Sequence, residues 1–167
     1  MKTGINSSTG SPITFEIEGI EEVQAELDTL TESLRKETSV SMMTDVGNAV
    51  KWWMQQNILG QKLLKTGALF NSVFATVLSN EEGADVYVGP NTEEIPYAMI
   101  QNYGGDIYPK KAKALHWVDG DKHYFAKHVY IPAKPYIEPA VEDHQEEILE
   151  IMKDWIYAAI AEGCADL

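Results

Sequence analysis

Residues 66–89 read TGALFNSVFATVLSNEEGADVYVG, and their reading decides the fold. After the Thr66-Gly67 corner, residues 68–78 are rich in β-formers and long enough for a strand. Residues 80–83 (NEEG) have turn chemistry, and residues 84–89 (ADVYVG) return as a second strand. The segment is therefore a β-hairpin, and Pro90, with no N–H to donate, stops it. A hairpin between flanks of helical periodicity makes this an α+β protein.

Upstream, Ile20, Val23, Leu27, Leu30 and Leu34 recur at spacings of 3, 4, 3 and 4, the seam of an amphipathic helix. Glu21 and Glu22 stand in its first turn, where the helix dipole favours acids. Helical spacing resumes with Val40, Met43, Val46, Val50 and Trp53 and ends near Gly60, with a kink expected at 38–41 (TSVS). Uninterrupted, residues 20–58 would run about 58 Å, so a break or a protruding helix is expected. Trp52 and Trp53 lie about 100° apart on such a helix. Either both pack in one wide apolar face, or Trp52 caps a surface patch for a partner. Before the helix, residues 13–17 (ITFEI) alternate as a half-buried strand, while residues 1–12 are small and polar, the composition of a flexible tail.

Downstream, Pro96 opens a short helix over 97–103, and Gly104-Gly105 stops it. Residues 114–118 (ALHWV) and 123–131 (HYFAKHVYI) flank Asp119-Gly120-Asp121-Lys122, a second hairpin signal. Pro132, Pro135 and Pro139 hold the chain extended, and Pro139 starts the last helix. Val141, Gln145, Ile148, Met152, Trp155 and Ala159 form the stripe of that helix, and Gly163 ends it. The reading is one α+β domain over 13–167, with an antiparallel sheet of about four strands. The long N-terminal helix and the C-terminal helix both cover one side of the sheet, and a short helix lies between the hairpins.

At 167 residues the chain removes roughly 70% of its unfolded surface from water without a metal or disulfide. The single cysteine, Cys164, implies assembly in a reducing cytoplasm. The first residues lack the apolar core of a signal peptide, and nowhere do about 18 apolar residues run together as a membrane span needs. A net charge of −13 argues against general DNA affinity. That charge is uneven. Residues 109–134 carry six lysines against Asp119 and Asp121, a balance of +4, whereas residues 136–167 carry nine acids and Lys153 alone, a balance of −8. Lys110, Lys111 and Lys113 sit beside aromatics and the double glycine in YAMIQNYGGDIYPKKAKALHW (97–117). The stretch reads as a nucleic-acid grip, the rim of an active site or a docking loop; the absence of arginine from it argues against the first.

His116, His123 and His128 lie on the second hairpin, but their spacing matches no ligand pattern, so no metal is expected. There is no Gly-x-Ser-x-Gly elbow, GxGxxG or GxxxxGK[ST], and Glu146-Glu147 falls on an acidic helix face. No catalytic residue and no cofactor are expected.

Five pieces, in order, resemble the tail-completion and head–tail joining proteins of tailed bacteriophages, also described as minor tail components or virion-morphogenesis proteins. These are a strand ending in glycine before a heptad-like helix (TFEIEGIEEVQAEL), Thr66-Gly67-x-Leu69-x-x-Ser72, and Val88-Gly89. Tyr97-Ala98 with Tyr103-Gly104-Gly105 follows, then Pro132-Ala133-Lys134-Pro135-Tyr136-Ile137. Lys134 stands where the family pattern has arginine, and Tyr136 where it has phenylalanine; lysine lacks the forked donor of arginine. The resemblance implies a non-enzymatic virion protein, made in the host bacterial cytoplasm and placed at the neck or upper tail. It implies a ring of about six copies touching neighbouring neck or tail proteins, with DNA passing through unbound. Trp52, Tyr103, Gly104, Gly105, Lys110, Lys111, Lys113, Lys134 and Tyr136 are the expected interface residues. The alternative is a monomeric prophage module that binds one cytosolic partner.

Overall fold

The computed structural model describes residues 3–6, 12–15, 18–28, 32–81 and 83–165. The chain runs β1 (Thr3–Asn6), β2 (Pro12–Phe15), α1 (Ile20–Leu27), α2 (Glu32–Gly60), α3 (Ala68–Asn71), β3 (Val73–Asn80) and β4 (Gly83–Pro90). It continues through α4 (Ala98–Tyr103), β5 (Gly105–Ile107), β6 (Leu115–Asp119), β7 (Lys122–Ala126), β8 (Val129–Ile131), α5 (Pro139–Glu142) and α6 (Gln145–Ala165). The class is α+β, as the periodicities require.

β3 and β4 form the hairpin of residues 66–89, in antiparallel register from Val73 opposite Pro90 to Asn80 opposite Gly83. Its entry differs from the expectation, because residues 68–71 form a helical turn rather than the start of the strand. Gly67, at φ 78°, lets the chain swing in, and the N–H groups of Asn71 and Ser72 return to the carbonyls of Gly67 and Ala68. The strand begins only at Val73.

Four strands make the sheet in the order β2-β1-β4-β3. β1 runs antiparallel to β2 but parallel to β4, so the sheet is mixed rather than wholly antiparallel. Thr3–Asn6 is thus a strand where the sequence predicts a flexible tail. A backbone ladder needs no apolar side chains, and the free edge of β4 offers N–H and C=O groups to pair. The remainder of residues 1–11, and Glu16 and Ile17 of the expected first strand, lie outside the described residues.

The second hairpin exists but does not join the sheet. β6 and β7 pair with each other alone, and β5 and β8 make a second two-stranded ribbon. A hairpin satisfies half its backbone groups internally, and this one carries large side chains on both faces, so neither face is set against the core.

The long helical region is two helices, α1 ending at Leu27 and α2 beginning at Glu32, and α2 continues through 38–41, where a kink was expected. Residues 29–31 lie outside the described residues, and Arg35 Nη1 of α2 reaches Asp28 Oδ1 at 3.2 Å. Thr38 and Ser39 are instead buried inside α2, where Ser39 Oγ donates to the Arg35 carbonyl at 2.7 Å. Of the predicted seam, Val23 and Leu27 are buried, Leu34 is half-buried, and Leu30 lies outside the described residues.

α2 is the centre of the domain. Met42, Met43, Val46, Val50, Met54 and Ile58 are all buried, because β3 and β4 cover one side of the helix and α6 another. Gly47 sets the approach to the sheet: a Cβ there would sit 2.6 Å from Val86 Cγ2. α6 packs on α1 and α2 through Ile148, Met152 and Ile156, so the layers are sheet, α2, α6. This corrects the expectation that both long helices lie on the sheet, since α2 already fills the position under β3 and β4. Pro139 opens α5 as expected, but a turn at Asp143-His144 separates it from α6, and α6 runs through Gly163 to Ala165. No helix among the described residues is long and apolar enough to cross a membrane.

Candidate functional site

Three stretches far apart in sequence meet at one junction. Asn102, on the short helix α4, is buried, and its Oδ1 accepts from the backbone N–H of Tyr136 at 2.8 Å and of Ile137 at 3.1 Å. Its Nδ2 donates to Glu138 Oε2 at 2.8 Å, so one amide uses both ends to hold the 136–138 segment. The Tyr136 hydroxyl donates to the Ala98 carbonyl at 3.0 Å, and the Lys134 N–H donates to the Gln101 carbonyl at 2.9 Å. The end of α2 joins in: Asn57 Nδ2 donates to the Tyr136 carbonyl at 3.3 Å, and Gln61 Nε2 donates to that of Pro135.

Gly104 makes the close approach possible. It sits at φ 69°, and an added Cβ would fall 2.6 Å from the Ala133 nitrogen and 2.8 Å from the Ile131 oxygen. Gly105 then opens β5, opposite Ile131 of β8. Both glycines thus have packing and turn roles of their own.

Tyr136 is 0% exposed, its side chain closed into the centre of the junction. Burial, and then the charge of Glu138, push its phenol above the ordinary range. Tyr103 is half-exposed beside it, its phenol also raised by partial burial and by Glu138. Lys134 is half-buried, with Nζ 3.4 Å from the Gln61 carbonyl, so it serves the junction first.

From this junction spring the lysine loop and the β6–β7 ribbon. Lys110, Lys111 and Lys113 are exposed ahead of β6, and Lys127 is exposed after β7, forming a basic collar at the ribbon's root. Along the ribbon, Trp117 stacks on Tyr124 on one face with ring centroids 5.4 Å apart. On the other face His116 stacks on Phe125 at 4.6 Å. Phe125 is 70% exposed and Trp117 42%. His116 and His123 are diagonal neighbours, since the register sets His116 opposite Phe125 and Val118 opposite His123; their ring nitrogens lie 2.9 Å apart. His128 instead pairs with Asp106 and stacks on Tyr108 at 5.0 Å.

Trp52 and Trp53 divide as the helical angle allows. Trp52 is 56% exposed on α2, and Trp53 is half-buried, stacked on His144 at 4.1 Å and 1°. Of the expected interface residues, Trp52, Tyr103, Lys110, Lys111 and Lys113 are exposed, Gly104, Gly105 and Lys134 are half-buried and Tyr136 is buried. Sequence reasoning missed Asn102 and the exposed aromatic ribbon. The ribbon had a signal: apolar residues occupy both parities of 115–125, which no one-sided strand shows.

Among the described residues, no group of three or more His, Cys, Asp or Glu is placed to hold a metal ion. Two concavities among the described residues, one lined by α1 and the facing ends of β3 and β4 and one beside Arg35, Lys36 and Glu81, are open and polar. What the arrangement presents is an exposed aromatic ribbon with a basic root, joined to a buried, hydrogen-bonded junction. Comparison with known protein families, with curated proteins and with solved structures finds no match.

Proposed function

We propose that this chain is a structural subunit of a tailed-phage particle, built into a ring at the head–tail neck or upper tail, without catalytic activity. One observation carries the reading. The later pieces of the family resemblance, Tyr97-Ala98, Tyr103-Gly104-Gly105 and residues 132–137, are built into a single hydrogen-bonded junction. Residues that resemble a family pattern at separate places in a chain gain weight when they build one structural unit. The unit here projects an apolar arm away from the core, which suits a subunit completed by its neighbours.

The acidic balance of the chain suits a channel for DNA, because negative walls repel phosphate and let the duplex slide. Deleting the gene from the phage or prophage that encodes it tests the proposal. The expected lysate holds filled heads and separate tails that join when purified protein is added back. Normal particles from the deletion would refute the proposal.

A further inference from the structure

We infer that the β6–β7 ribbon of one copy seats on the outer face of α6 of the next copy. The inference deepens the ring reading and rests on it for the closure of the contacts, but its surfaces stand on their own observations.

The ribbon's contacts are overwhelmingly between its own two strands, leaving Trp117, Val118, Tyr124 and Phe125 exposed. Such a two-sided apolar ribbon is poorly matched to water. Its root is positive, through Lys110, Lys111, Lys113 and Lys127, while its tip carries Asp119 and Asp121 beside Lys122. The occupant must therefore be apolar where the rings lie and acidic where the root lies.

α6 presents that pattern. Its outer face holds an open, mostly apolar groove lined by Leu149 and Tyr157 and rimmed by Glu146, Glu150 and Asp154. Lys153, the only base between residues 136 and 167, also lines it. Tyr157 is exposed although it lies among apolar neighbours on a helix whose other face is fully buried. The three acids, spaced along one row of the helix, would meet the basic collar; Lys153 lies between Glu150 and Asp154 and leaves the rim net acidic. Arm and groove are different patches, so the contact is head-to-tail; such contacts propagate and close into a ring when the rotation allows. Like charges on the like patches disfavour arm-to-arm and groove-to-groove pairing.

The test is reciprocal charge reversal, read by sedimentation velocity at low and high salt, with circular dichroism to verify folding. The parent should associate with concentration, and less at high salt. Lys110→Glu with Lys111→Glu and Lys113→Glu, and separately Glu146→Lys with Glu150→Lys and Asp154→Lys, should each weaken self-association at least about 100-fold. Mixed one to one, the two triple variants should associate again, because every arm then meets a groove of opposite sign. Phe125→Ser, at an exposed site, should weaken association about tenfold without altering the fold.

Triple variants that assemble like the parent would overturn the contact and leave the ring reading standing. The same holds if the mixture fails to associate while each variant remains folded. A parent that stays monomeric at every concentration would overturn it too, while the deletion lysate decides the virion reading separately. Salt-sensitive binding of a duplex DNA probe, lost with the three lysines and without self-association, would assign the arm to nucleic acid instead.

Discussion

Asn102→Ala should be among the most damaging single changes in this chain, although it removes a polar residue from a six-residue helix. The side chain makes three hydrogen bonds: two accepted from buried backbone N–H groups, and one donated to the Glu138 carboxylate. Truncation leaves both N–H groups without an acceptor, each costing about 1–3 kcal/mol, and removes a donor from a charged group. Allowing for partial entry of water, the sum is about 3–4 kcal/mol, a large part of an ordinary domain's 5–15 kcal/mol. For a chain of this length, that lowers Tm by about 6–15 °C. Asn102→Asp separates the roles, because it keeps the acceptor for Tyr136 and Ile137 but sets a second carboxylate against Glu138. Two carboxylates at that distance cannot both stay ionised without strain. The Asp variant should therefore be most deficient near neutral pH and recover as the pH falls and one proton is shared. Urea unfolding of the three proteins at neutral and mildly acidic pH reads both effects. An Ala variant within about 1 kcal/mol of the parent would refute the clamp, and an Asp variant with no pH dependence would refute the Glu138 partnership.

Gly47→Ala should destabilise by about 1–2 kcal/mol, opposite in sign to the gain of about 1 kcal/mol at an exposed helix position, because the new methyl meets Val86. In a Val86→Ala background the same change should cost little or nothing, a coupling that a double-mutant cycle measures. The Tyr136 phenol has a folded pKa above its unfolded value of about 10, so the native state holds that proton more tightly. Its contribution is then complete below about pH 10 and is lost as the pH rises further. Tyrosinate absorbance should accordingly rise in two stages, the later one coinciding with unfolding and smaller in Tyr136→Phe; a single early stage would contradict the burial of this ring.

The hairpin of β3 and β4 was legible because its turn and its stop are both local chemistry, in residues 80–83 and Pro90. Its entry was not, because Ala-Leu-Phe-Asn reads equally as strand and only the positive φ at Gly67 makes it a helical turn. A break within residues 20–58 was legible from their length, but the end of α1 at Leu27 was not, for a related reason. Residues 38–41 look like a kink by composition, yet Ser39 satisfies its hydroxyl on the helix's own backbone, which no local pattern announces. The position of α6 against α2 rather than the sheet depends on which element reaches the sheet first, and that is a property of the assembled core. At the candidate site, the lysines and Trp52 were legible as surface residues because charge and helical angle act locally. The burial of Tyr136 and the clamp by Asn102 were not, since their partners lie 34 to 38 positions away.

The most direct test of the central claim is the position of the chain in a particle. Purified tailed particles from the encoding phage or prophage should be decorated with antibody against this chain and imaged by electron microscopy, with its abundance measured by mass spectrometry. Label at the head–tail neck or upper tail, in the multiple copies a closed ring requires, is the predicted result. Particles that carry no label, with the chain recovered only from the fraction free of particles, would contradict the account.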